Sequence, residues 1–183
     1  MRRANAIISA LIIVCFIIHM IWGGFILLGI LSGGSPVLSC VTIAMEILLL
    51  IHIIIGIKLT ADSVRASRRA GVFYLKENRL FLIRRISGFA LLVFVMIHII
   101  IFEGSDTAGG YRLNVFGVPQ LISQILMVLS LIVHLVANIT PLRIGLGIKD
   151  GKNLRTDIML ALTALLFLAG IAFVIYFIRW QVV

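Results

Sequence analysis

RRISGFALLVFVMIHIIIF, residues 84–102, begins with two arginines and continues as an apolar run that one imidazole, His98, interrupts. A helix that crosses the hydrocarbon core of a bilayer needs about 20 apolar residues, so this run is long enough. His98 lies thirteen residues after Arg85, which corresponds to about 20 Å along a helix. The segment therefore predicts a transmembrane helix with an ionisable group deep in the membrane.

The composition of the whole chain agrees with a membrane protein, because 62% of its 183 residues are hydrophobic and only 13% are charged. A water-soluble domain of this size could not carry so much apolar surface. Five stretches are long and apolar enough to span a bilayer. They cover approximately residues 6–32, 37–59, 86–102, 119–140 and 157–178. We expect an all-α bundle of five transmembrane helices in one domain, 1–183, with helix four broken at Pro141.

The net charge of +9 is explained by where the basic residues lie. Fourteen of the sixteen Lys and Arg residues are at the N-terminus, in 58–85 or in 143–155. In a chain of five spans these regions share one side, so the positive-inside rule predicts a cytoplasmic N-terminus and an outer C-terminus. The charge thus gives no reason to expect nucleic acid. The basic segment 58–85 could also receive an acidic partner or lipid headgroups.

The histidines are distributed one to a helix over the first four predicted helices: His19, His52, His98 and His134. Ionisable groups in hydrocarbon are costly and usually face the interior of the bundle. Measured from the cytoplasmic boundary, His19 and His98 are both ~20 Å deep, and His52 and His134 are both ~9–14 Å deep. The sequence predicts two pairs of imidazoles at two depths.

Matched pairs on facing helices are what bis-histidine ligation of two haems requires. Gly23 and Gly56 each follow a histidine by four residues, which keeps that face of the helix slim beside a flat macrocycle. Zinc or di-iron would need ligands that converge on one point, with carboxylates or thiolates. A proton relay would not need matched pairs, and a single buried histidine could simply hydrogen-bond to a neighbouring helix.

Two arginines, Arg84 and Arg85, begin helix three at the cytoplasmic boundary. They could pair with the anionic propionates of a haem, or they could anchor the helix by extending to the interface.

A membrane-soluble electron donor or acceptor would be a quinone, which exchanges protons when it reacts. Glu46 is the acid that lies within the hydrocarbon part of a predicted span, so it is the first candidate for this exchange. Glu103 and Asp106, just beyond helix three, are the alternatives. Each of these acids could instead be hydrogen-bonded or solvated without a role in the reaction.

The order of the helices, the histidines in helices one to four, and RRISG before MIH at the third histidine together resemble a known family. The family is the cytochrome b membrane anchor of succinate:quinone oxidoreductases and fumarate reductases, in its single-subunit, five-helix, two-haem form. The resemblance covers nearly the whole chain. It implies two haem b groups, a distal one held by His19 and His98 and a proximal one held by His52 and His134. Some fumarate reductases have a glutamate two residues before the fourth histidine, where this chain has Ile132; this argues against a proton path there.

The resemblance also implies partners and a location. They are a flavoprotein subunit with FAD that interconverts succinate and fumarate, an iron-sulfur subunit on the basic cytoplasmic face, and menaquinone as the usual quinone. The complex would lie in the bacterial cytoplasmic membrane and could form a higher oligomer. Two other functions remain open from the residues: a two-haem cytochrome that serves another membrane oxidoreductase, and a transporter whose histidines and Glu46 carry protons.

Overall fold

The computed structural model describes residues 1–71, 79–107, 110–148 and 152–182, and helices dominate it. Within this part of the chain there are five helices and one hairpin of two antiparallel strands. In chain order they are α1 (Arg2–Leu27), α2 (Pro36–Arg69), α3 (Arg79–Ile101), β1 (Gly104–Thr107), β2 (Gly110–Leu113), α4 (Val118–Leu146) and α5 (Lys152–Val182). The predicted all-α bundle of five helices is confirmed.

Each of the five helices contains an apolar stretch long enough to cross a membrane. Their large side chains project outwards from the bundle: Phe89 and Ile100 are 70% exposed, and Leu160 is 71% exposed. Such a surface is unfavourable in water and suited to lipid, since a helix satisfies its own backbone hydrogen bonds. The described fold is therefore that of a membrane-spanning bundle.

The helices pack in a definite order around α4. Helix α1 packs against α2, α4 and α5, while α3 and α5 also pack against α4. Within the described residues, α1 and α3 make at most isolated backbone contacts with each other, and the same holds for α2 and α4. Helices α1 and α4 approach closely at Gly145, where an added Cβ would lie 2.5 Å from the Cβ of Ala6.

The ends of the first two helices differ from the sequence prediction. Helix α1 ends at Leu27 rather than near residue 32, because Gly29 adopts a left-handed conformation (φ 72°) and the amide of Ile30 bonds back to the carbonyl of Phe25. Helix α2 begins at Pro36, capped by Ser35, and continues beyond the predicted span to Arg69. The polar residues that follow the apolar stretch are still helical, because polar side chains can also favour a helix.

The sequence led us to expect a break in helix four at Pro141, and this prediction is wrong. Helix α4 continues to Leu146, and Gly147 caps its end. Proline has no N–H to donate to the carbonyl four residues earlier, which here belongs to Ala137. The side chain of Arg84 replaces that donor, with its Nε 2.8 Å from the Ala137 oxygen. A donor from α3 thus satisfies the carbonyl that Pro141 leaves unpaired, and the helix persists.

The hairpin and the segment after it cover one end of the bundle, over the C-terminal end of α3. Leu113 and Phe116 are almost completely buried there, in a cluster with Phe173 and Tyr176. The Leu113 amide donates to the Tyr176 hydroxyl (2.9 Å), and the Trp180 indole donates to the Leu113 carbonyl (3.2 Å). These bonds connect the hairpin to α5.

Candidate functional site

The four histidines form two pairs inside the bundle. The ring centroids of His19 and His98 are 6.1 Å apart with the ring planes at 75°. Those of His52 and His134 are 6.5 Å apart with the planes at 87°. We call the first the outer pair and the second the inner pair, after the orientation that the charges predict. The structure brings together the partners that the depth argument predicts.

Each pair joins helices that are not packed along their length. The outer pair spans α1 and α3, and the inner pair spans α2 and α4. The imidazoles of each pair therefore approach each other from diagonal helices of the bundle, while α1 packs closely on α2 and α3 on α4.

All four rings use Nδ1 for their side-chain hydrogen bonds among the described residues. The partners are Thr42 Oγ1 for His19 (3.1 Å), Ser9 Oγ for His52 (3.2 Å), Gln124 Oε1 for His98 (2.7 Å) and Ser87 Oγ for His134 (3.3 Å). The arrangement is reciprocal. Helices α1 and α2 each supply a side chain that bonds to the histidine of the other, and helices α3 and α4 do the same. A ring whose Nδ1 is held in this way keeps Nε2 available for a metal.

The hydrogen bonds around Ser9 define which nitrogen of His52 carries the proton. The Ser9 hydroxyl donates to the Asn5 carbonyl at 2.8 Å, so it can only accept from His52. Nδ1 of His52 must therefore be protonated, and Nε2 has a free lone pair. This is the tautomer that ligates a metal through Nε2.

The distance within each pair suits one iron between two imidazoles. A metal–imidazole bond is about 2 Å long, so two rings on one iron have centroids about 6 Å apart. No group of three or more His, Cys, Asp or Glu residues that could hold a metal ion occurs in the described part of the chain. The donor set is thus two separate bis-imidazole sites, which fits two haems better than a polynuclear or zinc centre.

Two glycines leave room beside the rings. A Cβ added to Gly23, one turn after His19, or to Gly56, one turn after His52, would meet no atom within 4 Å. Gly88 has a different role, because a Cβ there would lie 3.2 Å from the ring of His134. Open space at the first two positions is what a flat macrocycle against the helix needs.

Arg84 and Arg85, which the sequence placed at the start of helix three, lie in the second turn of α3, because the helix already begins at Arg79. Both face inwards, but they make different contacts. Arg84 bonds to the Ala137 carbonyl on α4. The Arg85 guanidinium reaches the Gly56 carbonyl at 3.5 Å and lies over the Phe81 ring at 5.0 Å. Its Nε is buried and has no hydrogen-bond partner among the described residues. A half-buried guanidinium whose Nε is buried and unused among the described residues is suited to an anion.

The three acids considered for proton exchange belong to α2, to the end of the segment before the hairpin and to β1. Glu46 is exposed on the outer surface of α2. Glu103 is exposed next to the hairpin, and its carbonyl accepts from the Asn114 amide at 3.1 Å. Asp106 is in β1, and its side chain lies outside the described residues.

Four residues of the site were not identified from the sequence: Ser9, Thr42, Ser87 and Gln124. Each is a polar residue inside a predicted span, which is a usable signal, since polar side chains in hydrocarbon need a partner. Thr42 and His19 illustrate it, because both lie at a similar depth on neighbouring helices.

Fold and site together define the class: a multi-pass membrane protein with five candidate spans and two pairs of facing imidazoles. No protein-family model, curated protein or solved structure matches the chain.

Proposed function

We propose that this protein is a two-haem cytochrome b that anchors a succinate dehydrogenase or fumarate reductase in the membrane. It would pass electrons between a membrane quinone, in the first instance menaquinone, and an iron-sulfur subunit on the cytoplasmic side. The observation that carries the proposal is the pair of 6.1 Å and 6.5 Å imidazole arrangements on four different helices. Nδ1 of every ring has a polar partner, so Nε2 remains for iron.

In this proposal His19 and His98 hold one haem, and His52 and His134 hold the other. A bound haem supplies one-electron chemistry, which the ligands and their surroundings adjust. Arg85 is the candidate to balance a propionate, because its buried Nε has no partner in the described residues. Arg84 is less suited, since its Nε already serves the Ala137 carbonyl.

The quinone and the soluble subunits are the less direct part of the proposal. Glu46 is the candidate for proton exchange, because it is exposed on the face of α2 from which a lipid-soluble quinone would arrive. The flavoprotein with FAD and the iron-sulfur subunit follow from the family resemblance. The basic residues near the end of α2, including Arg65, Arg68 and Arg69, extend the helix beyond its apolar stretch and offer a surface to an acidic partner.

The haem proposal is tested with the purified full-length chain by a reduced-minus-oxidised spectrum and a haem assay. The wild type should show a b-type band and two haems per chain. Single alanine variants of the four histidines should fall into two classes with different residual spectra: His19→Ala with His98→Ala, and His52→Ala with His134→Ala. Absence of a b-type band, or variants that do not sort in this way, would refute the proposal.

The partner proposal needs a separate experiment, because another dehydrogenase could use the same haems. The tagged chain, purified from its native membrane in mild detergent, should bring with it a flavoprotein with succinate- or fumarate-dependent electron transfer. Recovery of a molybdenum or nickel enzyme instead would assign the chain to a different oxidoreductase and leave the haem proposal standing.

A further inference from the structure

Gln124 differs from the other polar residues around the histidines. It is completely buried (0% exposed) on α4, and its Oε1 lies 2.7 Å from Nδ1 of His98, against 3.1 to 3.3 Å for the hydroxyl partners of the other rings. Phe102 and Phe173 pack near the same imidazole, with ring centroids 4.1 and 6.5 Å from that of His98. The amide therefore contacts His98 in an apolar part of the bundle, where a hydrogen bond is strong.

The neighbours of Gln124 determine which end of its amide faces the ring. The Ser123 hydroxyl donates to the Gln120 carbonyl at 2.7 Å, so it must accept in its other contact. That contact is with Gln124 at 3.1 Å, which requires the amide NH₂ to point towards Ser123. The amide oxygen then faces His98. Because a carbonyl oxygen can only accept, Nδ1 of His98 carries the proton.

We propose that Gln124 is the positioning residue of the outer pair: it holds His98 in the Nδ1–H tautomer and makes its Nε2 a more electron-rich ligand. This inference rests on the proposed haem function. A ligand imidazole that donates to a strong acceptor is more basic and stabilises the oxidised metal. Gln124 consequently lowers the reduction potential of the outer haem, and the hydroxyl partners of the inner pair have a weaker effect.

The test is a spectroscopic redox titration of the purified holoprotein, together with electron paramagnetic resonance of its two oxidised haems. Gln124→Leu removes the acceptor at similar volume. It should shift the midpoint potential of one haem to a more positive value, change the resonance of that haem, and leave the other haem unchanged. Gln124→Glu keeps an acceptor and should shift the same haem in the opposite direction.

Gln120→Leu is the matched control. Gln120 is one turn away on α4, and its side chain accepts from the Gly117 amide at 3.0 Å without contacting a histidine. Its replacement should leave both potentials at the wild-type values. If Gln124→Leu loses one haem, Gln124→Glu should retain it, which also supports a positioning role.

Three results would overturn the inference. The first is unchanged potentials and resonances in Gln124→Leu with both haems bound, which leaves the proposed function intact. The second is loss of a haem in both Gln124 variants, which would make Gln124 a packing residue only. A wild-type chain without haem overturns the inference together with the proposed function.

Discussion

Each imidazole in the bundle has a polar side-chain partner on a neighbouring helix, and that partner explains how a histidine is tolerated in hydrocarbon. Leaving a polar group unpaired in hydrocarbon costs several kcal/mol. One hydroxyl or amide at the same depth on a neighbouring helix removes this cost, so the histidine can stay inside the bundle. The same rule governs the backbone. The Ala137 carbonyl, which Pro141 leaves without an intrahelical donor, is bonded by Arg84. Side chains from another helix thus correct both kinds of polar defect.

The link between Arg84 and Pro141 predicts a thermodynamic coupling. Arg84→Leu should lower the free energy of unfolding by about 1–2 kcal/mol, because the Ala137 carbonyl loses its donor. In a Pro141→Ala background, residue 141 supplies a helical N–H to that carbonyl, so the same substitution should cost less. The four proteins of this cycle can be compared by equilibrium unfolding in detergent.

Arg85→Leu is the control for this cycle, because Arg85 bonds to the Gly56 carbonyl on α2, whereas Arg84 bonds to the Ala137 carbonyl. Its cost should be the same with proline or alanine at position 141. Equal costs of Arg84→Leu in the two backgrounds would mean that Arg84 does not replace the missing donor.

At the scale of helices and strands, the hairpin between α3 and α4 closes the bundle over the outer pair. Phe102, at the end of α3, contacts both the His98 ring and Phe116. Phe116 in turn packs against Tyr176 of α5, with ring centroids 5.1 Å apart. The segment that follows the hairpin is therefore joined to the surroundings of His98 through a continuous set of aromatic rings, and the hydrogen bond from the Leu113 amide to Tyr176 attaches the hairpin to α5.

Tyr176→Phe tests this attachment. It removes the acceptor of the buried Leu113 amide and keeps the aromatic ring in place. A lost hydrogen bond to a buried donor costs about 1–2 kcal/mol, which corresponds to hydrogen exchange of the Leu113 amide about 5 to 30 times faster. Mass spectrometry of exchange in peptides that cover β2 provides the measurement.

Tyr111→Phe is the comparison for that experiment. Tyr111 also lies in the hairpin, but its hydroxyl donates to the Phe102 carbonyl at 3.0 Å, whereas the Leu113 amide donates to Tyr176. Protection of the Leu113 amide should persist in this variant. If Tyr176→Phe leaves exchange in β2 unchanged, the hydroxyl does not hold the hairpin.

At the scale of the whole molecule, the five candidate spans and the pairing of the histidines were predictable, because both follow from position along the chain. The side chains that hydrogen-bond to the rings were not predictable, since they depend on the rotation of each helix about its axis. In a membrane protein, the side of a helix that faces lipid and the side that faces the bundle are both apolar. Hydropathy therefore does not indicate how the helix is rotated. Gln124 and Ser87 could have been noted as polar residues within spans, but not assigned to their rings. The continuation of α4 past Pro141 was also not predictable from the sequence, because it depends on a hydrogen bond from Arg84 on another helix.

Two adjacent glycines of α1 allow a test of whether the space between the diagonal helices holds a macrocycle. A Cβ at either Gly23 or Gly24 would meet no protein atom within 4 Å. Successive residues of a helix are about 100° apart, so Gly23 lies near the face of His19 and Gly24 is turned away from it. Gly23→Leu should therefore lower the haem content from two to one per chain, while Gly24→Leu should retain both. Thermal unfolding of both variants checks that the helices still assemble. Two haems per chain in both variants would show that nothing flat occupies the space beside His19.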